Sequence, residues 1–298
     1  MERYPEVRVI AVPYDSGHRG LRMGAGPEHL LGNGLADALG SAGRKTHPVI
    51  LRPETVPTAE VATAFELDCR ISAQVRDVRA GGQFPLVLSG NCNASVGTIA
   101  GAGGPGVVWF DAHADFNTPE TTTTGFTDGM GLAVAVGHCW QKMAGGVPGF
   151  SPVAEEDVLL AGIRDVQPAE EERLAASHVT VVEAARIGRE SLRALATALD
   201  GLKPRSGRVY LHLDLDVLDP ARAGRANEFA PKGGLGPDEL LAALRMVRGR
   251  LEVAACGIAS YDPALDGDGR VLRAALACVG ELVSPKPPVW HAAQNARL

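Results

Sequence analysis

Two segments of this chain place acids at every second position. After the apolar run Gly106–Phe110 come Asp111, His113 and Asp115, and the aliphatic run that starts at Val209 passes into Asp214 and Asp216. In an extended backbone alternate side chains share one face, so Asp111, His113 and Asp115 can converge on one point. Two carboxylates and an imidazole suit a divalent metal; the ordinary alternative is a polar strand end with solvated acids. Burying Asp214 beside Asp216 without a cation would be costly, although such pairs also serve as helix caps and turn acids. Asp219, before Pro220, is an ordinary turn former. His212 shares the alternation with Asp214 and Asp216 but lies within the strand, and is read as structural.

If the two acid pairs meet at one sheet edge, four carboxylates and one imidazole can hold a pair of hard divalent ions. Such a pair lowers the pKa of a bound water, which is hydrolytic chemistry. Mn²⁺ suits an oxygen-rich set with little imidazole better than Zn²⁺ or Fe²⁺.

The surrounding pattern supplies the elements that would position these groups. Strands are expected at Arg8–Val12, His47–Leu51, Phe84–Leu88, Gly106–Phe110, Asp157–Ala161, Val179–Val182, Arg208–Leu213 and Val253–Ala259. Between Thr58 and Arg79, apolar residues at Val61, Phe65 and Cys69, and at Ile71, Val75 and Val78, keep three-and-four spacing and predict an amphipathic helix. Further helices are expected at Gly26–Leu39, Asp128–Met143, Pro168–Ala176, Glu190–Leu199, Pro237–Arg248 and Gly269–Leu282. Alternating strands and helices imply an α/β fold: a mostly parallel sheet of about eight strands, covered on both faces, in a single domain over residues 1–298. The prolines of the tail after Val283 prevent helix continuation, so that tail is expected to run extended over the surface or onto a neighbouring subunit. In such sheets ligands bind beyond the carboxyl ends of the strands, where the acids stand.

Composition narrows the class. The 298 residues carry a net charge of −6 with no long like-charged block, which argues against nucleic acid or an anionic membrane as partner. There is no signal-peptide pattern and no apolar run long enough for a bilayer. The five scattered cysteines read as reduced thiols of a cytoplasmic protein rather than a disulfide framework.

With these motifs the sequence resembles the arginase (ureohydrolase) superfamily, which includes agmatinase and formiminoglutamase. The resemblance runs from PYDSGHRGLRMGAGP, at residues 13–27, to IASYDP, at residues 258–263, and is most specific at Asp111–Asp115 and at Asp214–Asp216 with Asp219-Pro220. It implies a three-layer α/β/α sandwich and two manganese ions. Asp111 and Asp214 would bridge the ions, Asp115 would bind the first, and His113 with Asp216 the second. The loop NTPETTTTG is more similar to arginase than to agmatinase, implying that Asn117, Thr122 and Thr124 grip a substrate α-carboxylate; a flexible threonine-rich loop is the plainer alternative. GIRDVQPAEE resembles the segment that meets the α-amino group, with Asp165 and Glu170 matching and Gln167 standing where a second acid belongs. A trimer or hexamer is implied by the same resemblance.

Three positions depart from the family pattern. Cys92 stands where the first ion's histidine belongs; a thiolate is softer than Mn²⁺ prefers, leaving that ion weakly held or of another element, and a small buried cysteine with no ligand role is the alternative. Asp128 stands at the proton-shuttle histidine and is either a proton relay or an N-cap for the helix beginning at Gly129. Ser260 replaces a glutamate that pairs with the guanidinium. Losing that anion weakens preference for a fully charged guanidinium, and the pattern is similar to arginase relatives of antibiotic pathways that act on Nω-hydroxy-arginine. The expected function is therefore a binuclear manganese hydrolase of a guanidino or hydroxyguanidino amino acid, catalysed through Asp115 and Asp128. A catalytically degenerate metal-binding relative and an agmatinase-like amine hydrolase are the alternatives.

Overall fold

The recurrent β-branched and aliphatic runs pair side by side because, buried on both faces, they have no solvent-facing alternation to satisfy. A computed structural model describes residues 6–54, 59–189 and 192–284. Its strands are β1 (Glu6–Val12), β2 (Tyr14–Asp15), β3 (His18–Arg19), β4 (Lys45–Thr46), β5 (Val49–Ile50), β6 (Phe84–Ser89), β7 (Gly106–Phe110), β8 (Val158–Ala161), β9 (Thr180–Val182), β10 (Arg208–Asp214) and β11 (Glu252–Ala259). Nine of them form one sheet in the order β4-β1-β6-β11-β10-β7-β8-β9, with β5 also on β1, while β2 and β3 make a separate hairpin. Every pairing within the large sheet is parallel.

Two hydrophobic layers sandwich the sheet. On one face Val209, Leu211 and Leu213 pack with residues of the helices Arg193–Gly201, Pro237–Arg250 and Arg270–Val283. On the other, Trp109 and Tyr210 pack with the helices Glu60–Ala80 and Ser95–Gly101. This is the expected α/β/α arrangement. The latter two helices cross closely because position 97 has no side chain: a Cβ there would lie 2.5 Å from the Asp68 carbonyl oxygen. The Asp68 carboxylate in turn accepts the Gly97 N–H at 2.9 Å. Two of the helices that begin with proline at N1 also carry an acid at N3, Glu170 and Glu239 reaching back to the N–H of Gln167 and Gly236.

The structure corrects several boundaries. The expected strand His47–Leu51 shortens to β5 (Val49–Ile50), and β4 (Lys45–Thr46), just before it and separated from it by His47 and Pro48, was not expected; β4 makes the sheet nine strands instead of about eight. The expected helix Asp128–Met143 breaks into a 3-10 turn at Asp128–Met130 and helices at Gly131–Ala135 and Gln141–Ala144. Its apolar spacing comes from all-round burial of Leu132 to Val136, not from one amphipathic face. Gly26–Leu39 divides at Gly34, whose φ of 104° is outside the helical region. The helices Ser95–Gly101, Ala184–Arg189 and Pro220–Ala223 have no counterpart among the expected elements. Thr58, the start of the predicted Glu190–Leu199 helix, and the tail beyond Ser284 lie outside the described residues.

Candidate metal centre and substrate cavity

Register brings the two acid segments together. Leu213 of β10 pairs with Phe110 of β7, so the next residues, Asp214 and Asp111, leave adjacent strands at the same level. On the other side of β10, Asp214 pairs with Ala259 of β11, which places Ser260 at the same edge. β6, beyond β11, ends at Ser89 and leads to Asn91 and Cys92. Four neighbouring carboxyl ends thus contribute to one site.

The acids meet by turning, not by pleating. β7 ends at Phe110, and Asp115 has a left-handed φ of 49°, a strained conformation for a residue with a side chain. The extended alternation expected across Asp111, His113 and Asp115 is therefore replaced by a tight loop. Within it Asp111 accepts the His113 backbone N–H at 2.7 Å and lies 3.4 Å from His113 Nδ1. Asp216, in a 3-10 turn after β10, lies 3.3 Å from the same nitrogen. Its N–H donates to Asp214 at 2.8 Å, an Asx-type turn that aims both carboxylates inward. The Cys92 thiol donates to Asp214 Oδ2 at 3.0 Å.

Asp111, Asp115, Asp214 and Asp216 are all buried. Burial pushes the carboxyl pKa of Asp111, Asp115 and Asp214 up, and neighbouring carboxylates push it further. Burial also works upward on Asp216, but the His113 ring outweighs it and holds Asp216 below the usual range. For His113, burial favours the neutral ring, and the pull of Asp216 and Asp111 overcomes it and raises the pKa. Oδ2 of Asp115 is buried with no partner. Such a concentration of acid is stable when a cation replaces the protons. The orphaned oxygen and the oxygen-rich donor set fit divalent ions, and Asp111, His113 and Asp216 already offer ligand atoms within 4.8 Å of one another.

A cavity of about 240 Å³ opens onto the acids, and every predicted site residue except the fully buried Asp111 lines it. At roughly 30 Å³ per water it has room for a small molecule, not a polymer. Asn117 is buried and its Oδ1 accepts from Thr121 Oγ1 at 3.0 Å, which leaves the amide N–H groups as the donors available to a ligand. Thr122 and Thr124 are held by their own turn, Thr122 Oγ1 accepting the Gly125 N–H at 3.1 Å and Thr124 Oγ1 the Phe126 N–H at 3.2 Å. Asp165 is exposed on the rim, 3.9 Å from His113 Nε2. Glu170 is buried, and its two oxygens accept the N–H groups of Phe116 and Gln167 at 2.7 and 3.3 Å, so it ties the metal loop to a helix start as well as facing the cavity.

Asp128 does not cap its own helix. Its carboxylate instead accepts the Cys92 backbone N–H and the Asn91 amide, the latter at 2.9 Å. Burial pushes its pKa up to about 8 against those two hydrogen bonds. Asp219 behaves as the expected turn former, accepting the Ala221 N–H at 3.0 Å. Ser260, at a left-handed φ of 65°, is buried with its hydroxyl 3.3 Å from Cys92 Sγ.

Other residues at the site had no motif to announce them. Trp109 Nε1 donates to Asp111 Oδ2 at 2.9 Å. Asn227 bridges Asp216 Oδ2 at 3.3 Å and the Ser260 carbonyl at 3.0 Å. Phe126 and Phe229, with ring centroids 5.3 Å apart, both line the cavity. Only Trp109 carried a signal, since an indole two residues before a buried acid on one strand face can donate to it.

Known proteins share this arrangement. The sequence profile of the Arginase family matches residues 5–284. The arginase of Bacillus caldovelox is 27% identical over 300 residues, covering 94% of this chain and 98% of its own. That of Brevibacillus brevis is 30% identical over 235 residues, covering 76% of each chain. The crystal structure of the arginase from Bacillus cereus superposes with a TM-score of 0.84 at 27% identity, covering 94% of this chain and 99% of that one. Nearly full-length agreement in sequence and fold settles the kinship: this chain belongs to the arginase family, whose members are hydrolases of amidino C–N bonds.

Proposed function

We propose that the protein hydrolyses the guanidino or hydroxyguanidino C–N bond of an arginine-like α-amino acid, with Nω-hydroxy-L-arginine favoured over L-arginine. The observation that carries this reading is the meeting of four buried carboxylates and His113 beside a cavity that Asn117, Thr122 and Thr124 also line. Cys92, Asp111, His113, Asp115, Asp214 and Asp216 would hold two divalent ions, with manganese as the metal suited to the oxygen-rich part. When bound, such a pair supplies Lewis-acid activation of water near neutral pH.

The chain's own groups then divide the remaining work. Asn117, Thr122 and Thr124 donate hydrogen bonds to the substrate α-carboxylate, and Asp165 with Glu170 faces the α-amino group. The unpartnered oxygen of Asp115 orients the attacking water. The water oxygen adds to the guanidino carbon, the bond from that carbon to Nδ breaks, and Nδ takes a proton. Asp128, a buried carboxylate on the cavity wall, takes the proton that the water gives up and passes it to Nδ. The products are ornithine and hydroxyurea, or ornithine and urea from arginine.

Ser260 favours the hydroxylated substrate. A neutral hydroxyl offers no charge partner to a guanidinium that is protonated at any ordinary pH, whereas the electron-withdrawing hydroxyl of a hydroxyguanidine makes it less basic. No helix among the described residues is long and apolar enough to cross a membrane. A single-domain cytoplasmic enzyme, assembled as a trimer or hexamer, belongs to the same proposal and rests on family resemblance.

Incubating the manganese-loaded protein with each amino acid, then quantifying ornithine, urea and hydroxyurea, tests the reading. Faster turnover of hydroxyarginine supports it. Equal or better turnover of arginine removes the preference, and inertness toward both, and toward agmatine, removes the enzymatic reading.

A further inference from the structure

Beside the Asp111–His113–Asp216 group stands a second cluster of potential ligands: a His212 ring nitrogen, Cys92 Sγ and an Asp111 carboxylate oxygen all lie within 4.8 Å of one another. Two ligands of one ion at about 2.0–2.3 Å are separated by no more than about 4.6 Å, so this spacing is close to that of a formed site. His212 is 1% exposed, and its Nε2 has no hydrogen-bond partner at all.

The rest of the ring is fixed. Nδ1 lies 3.0 Å from the Tyr210 hydroxyl and 3.2 Å from Ser95 Oγ, and the ring stacks on Trp109 with centroids 3.8 Å apart. The Ser95 hydroxyl donates its proton to the Cys92 carbonyl, so toward His212 it can only accept. With the ring proton on Nδ1, directed at the Tyr210 or Ser95 oxygen, Nε2 carries a free lone pair, the tautomer a metal ligand requires. The large majority of buried polar side-chain atoms have a hydrogen-bond partner, so the unpartnered Nε2 beside two other potential ligands calls for one.

We propose that His212 is a metal ligand, which with Cys92 and Asp111 forms one half of the centre; this rests on the metal-centre reading above and adds a donor to it. The imidazole absent from position 92 is thereby supplied from the interior of β10. The two halves then differ in kind. Thiolate and imidazole favour a softer ion such as Zn²⁺ or Co²⁺, while the half holding His113 and Asp216 keeps the oxygen-rich character suited to Mn²⁺.

The test uses the full chain loaded with ¹¹³Cd²⁺, which accepts both sulfur and oxygen donors, and labelled with ¹⁵N-histidine. Bound-metal analysis and the ¹¹³Cd–¹⁵N couplings are read by NMR in wild type and in His212→Gln. The expected result is coupling to two different histidines in wild type, with one coupling and one ion lost in the variant. The loss of affinity at that half should exceed the about 10–100-fold that a merely supporting residue costs. Two retained ions with unchanged couplings in His212→Gln would overturn the proposal and leave the metal-centre reading standing. A wild-type protein that takes up no ion would remove both. Should His212→Gln fail to fold, His113→Gln decides: a histidine coupling that persists there comes from His212, and its absence refutes the assignment.

Discussion

The indole of Trp109 donates to the Asp111 carboxylate at 2.9 Å, from two residues earlier on the same strand. That bond holds the carboxylate, which has no access to solvent, in one orientation. Trp109→Phe keeps the apolar packing and removes the donor. The expected outcome is a Mn²⁺ affinity lowered about 10–100-fold with the fold retained, measured by equilibrium dialysis against manganese. An unchanged affinity would show that the indole merely packs.

Asp128 is held by Cys92 and Asn91 on the cavity wall, and Asp128→Asn preserves its shape while removing its proton transfer. kcat for ornithine release is expected to fall about 10²–10⁴-fold, with metal content unchanged. Retention of full kcat would exclude Asp128 as the proton donor.

Asn117 is the buried member of the group assigned to the substrate carboxylate, and Thr121 fixes its amide. A hydrogen bond to a charged group contributes about 1.5–3 kcal/mol. Asn117→Ala should therefore raise KM for the amino acid roughly 10–100-fold while leaving the inhibition constant of agmatine, which has no carboxylate, unaltered. An equal change for both compounds would place Asn117 away from the carboxylate.

Asp68 lies outside the catalytic cavity, buried under the Gly97 N–H, and burial raises its pKa well above the ordinary value. The unfolded chain releases this proton near pH ~3.9, before the folded chain does. Stability is thus undiminished below that pH and is lost as pH rises toward the folded-state pKa. Asp68→Asn keeps an acceptor for Gly97 and removes the ionisation. In urea titrations the variant should match wild type at low pH and exceed it at neutral pH; a constant difference across the range would contradict the assignment.

At the same crossing, Gly97→Ala would drive a methyl to 2.5 Å from the Asp68 carbonyl, a backbone atom with no rotamer to change. Overpacking of this sort costs about 1–3 kcal/mol, which should lower the urea midpoint at unchanged slope. No loss of stability would mean that the two helices can separate freely.

Much of this was legible from residue order alone. The aliphatic runs at Gly106–Phe110 and Arg208–Leu213 announced strands because a strand buried on both faces must be apolar throughout, and the acids following them announced a ligand site because nothing else makes such burial tolerable. Cys92, Asp128 and Ser260 were recognisable as departures by comparison with a family pattern, though what each touches was not. The 128–143 segment misled because its apolar residues are buried on all sides, and all-round burial mimics helical periodicity without requiring a continuous helix.

What the sequence determined by itself was the inventory: local pattern marked the long central strands, several of the helices, and the types of group available for chemistry. Only the tertiary structure decided which of them meet. Strand order set β10 and β11 between β6 and β7, bringing Cys92, Asp111, Asp214 and Ser260 to one edge from positions up to 168 residues apart. It also turned Asp128 toward Cys92 instead of its own helix, and left His212 Nε2 buried without a partner. The physical reason is that hydrophobic periodicity is encoded over a few residues, whereas the pairing of strands and the satisfaction of buried polar groups are settled by the whole chain at once.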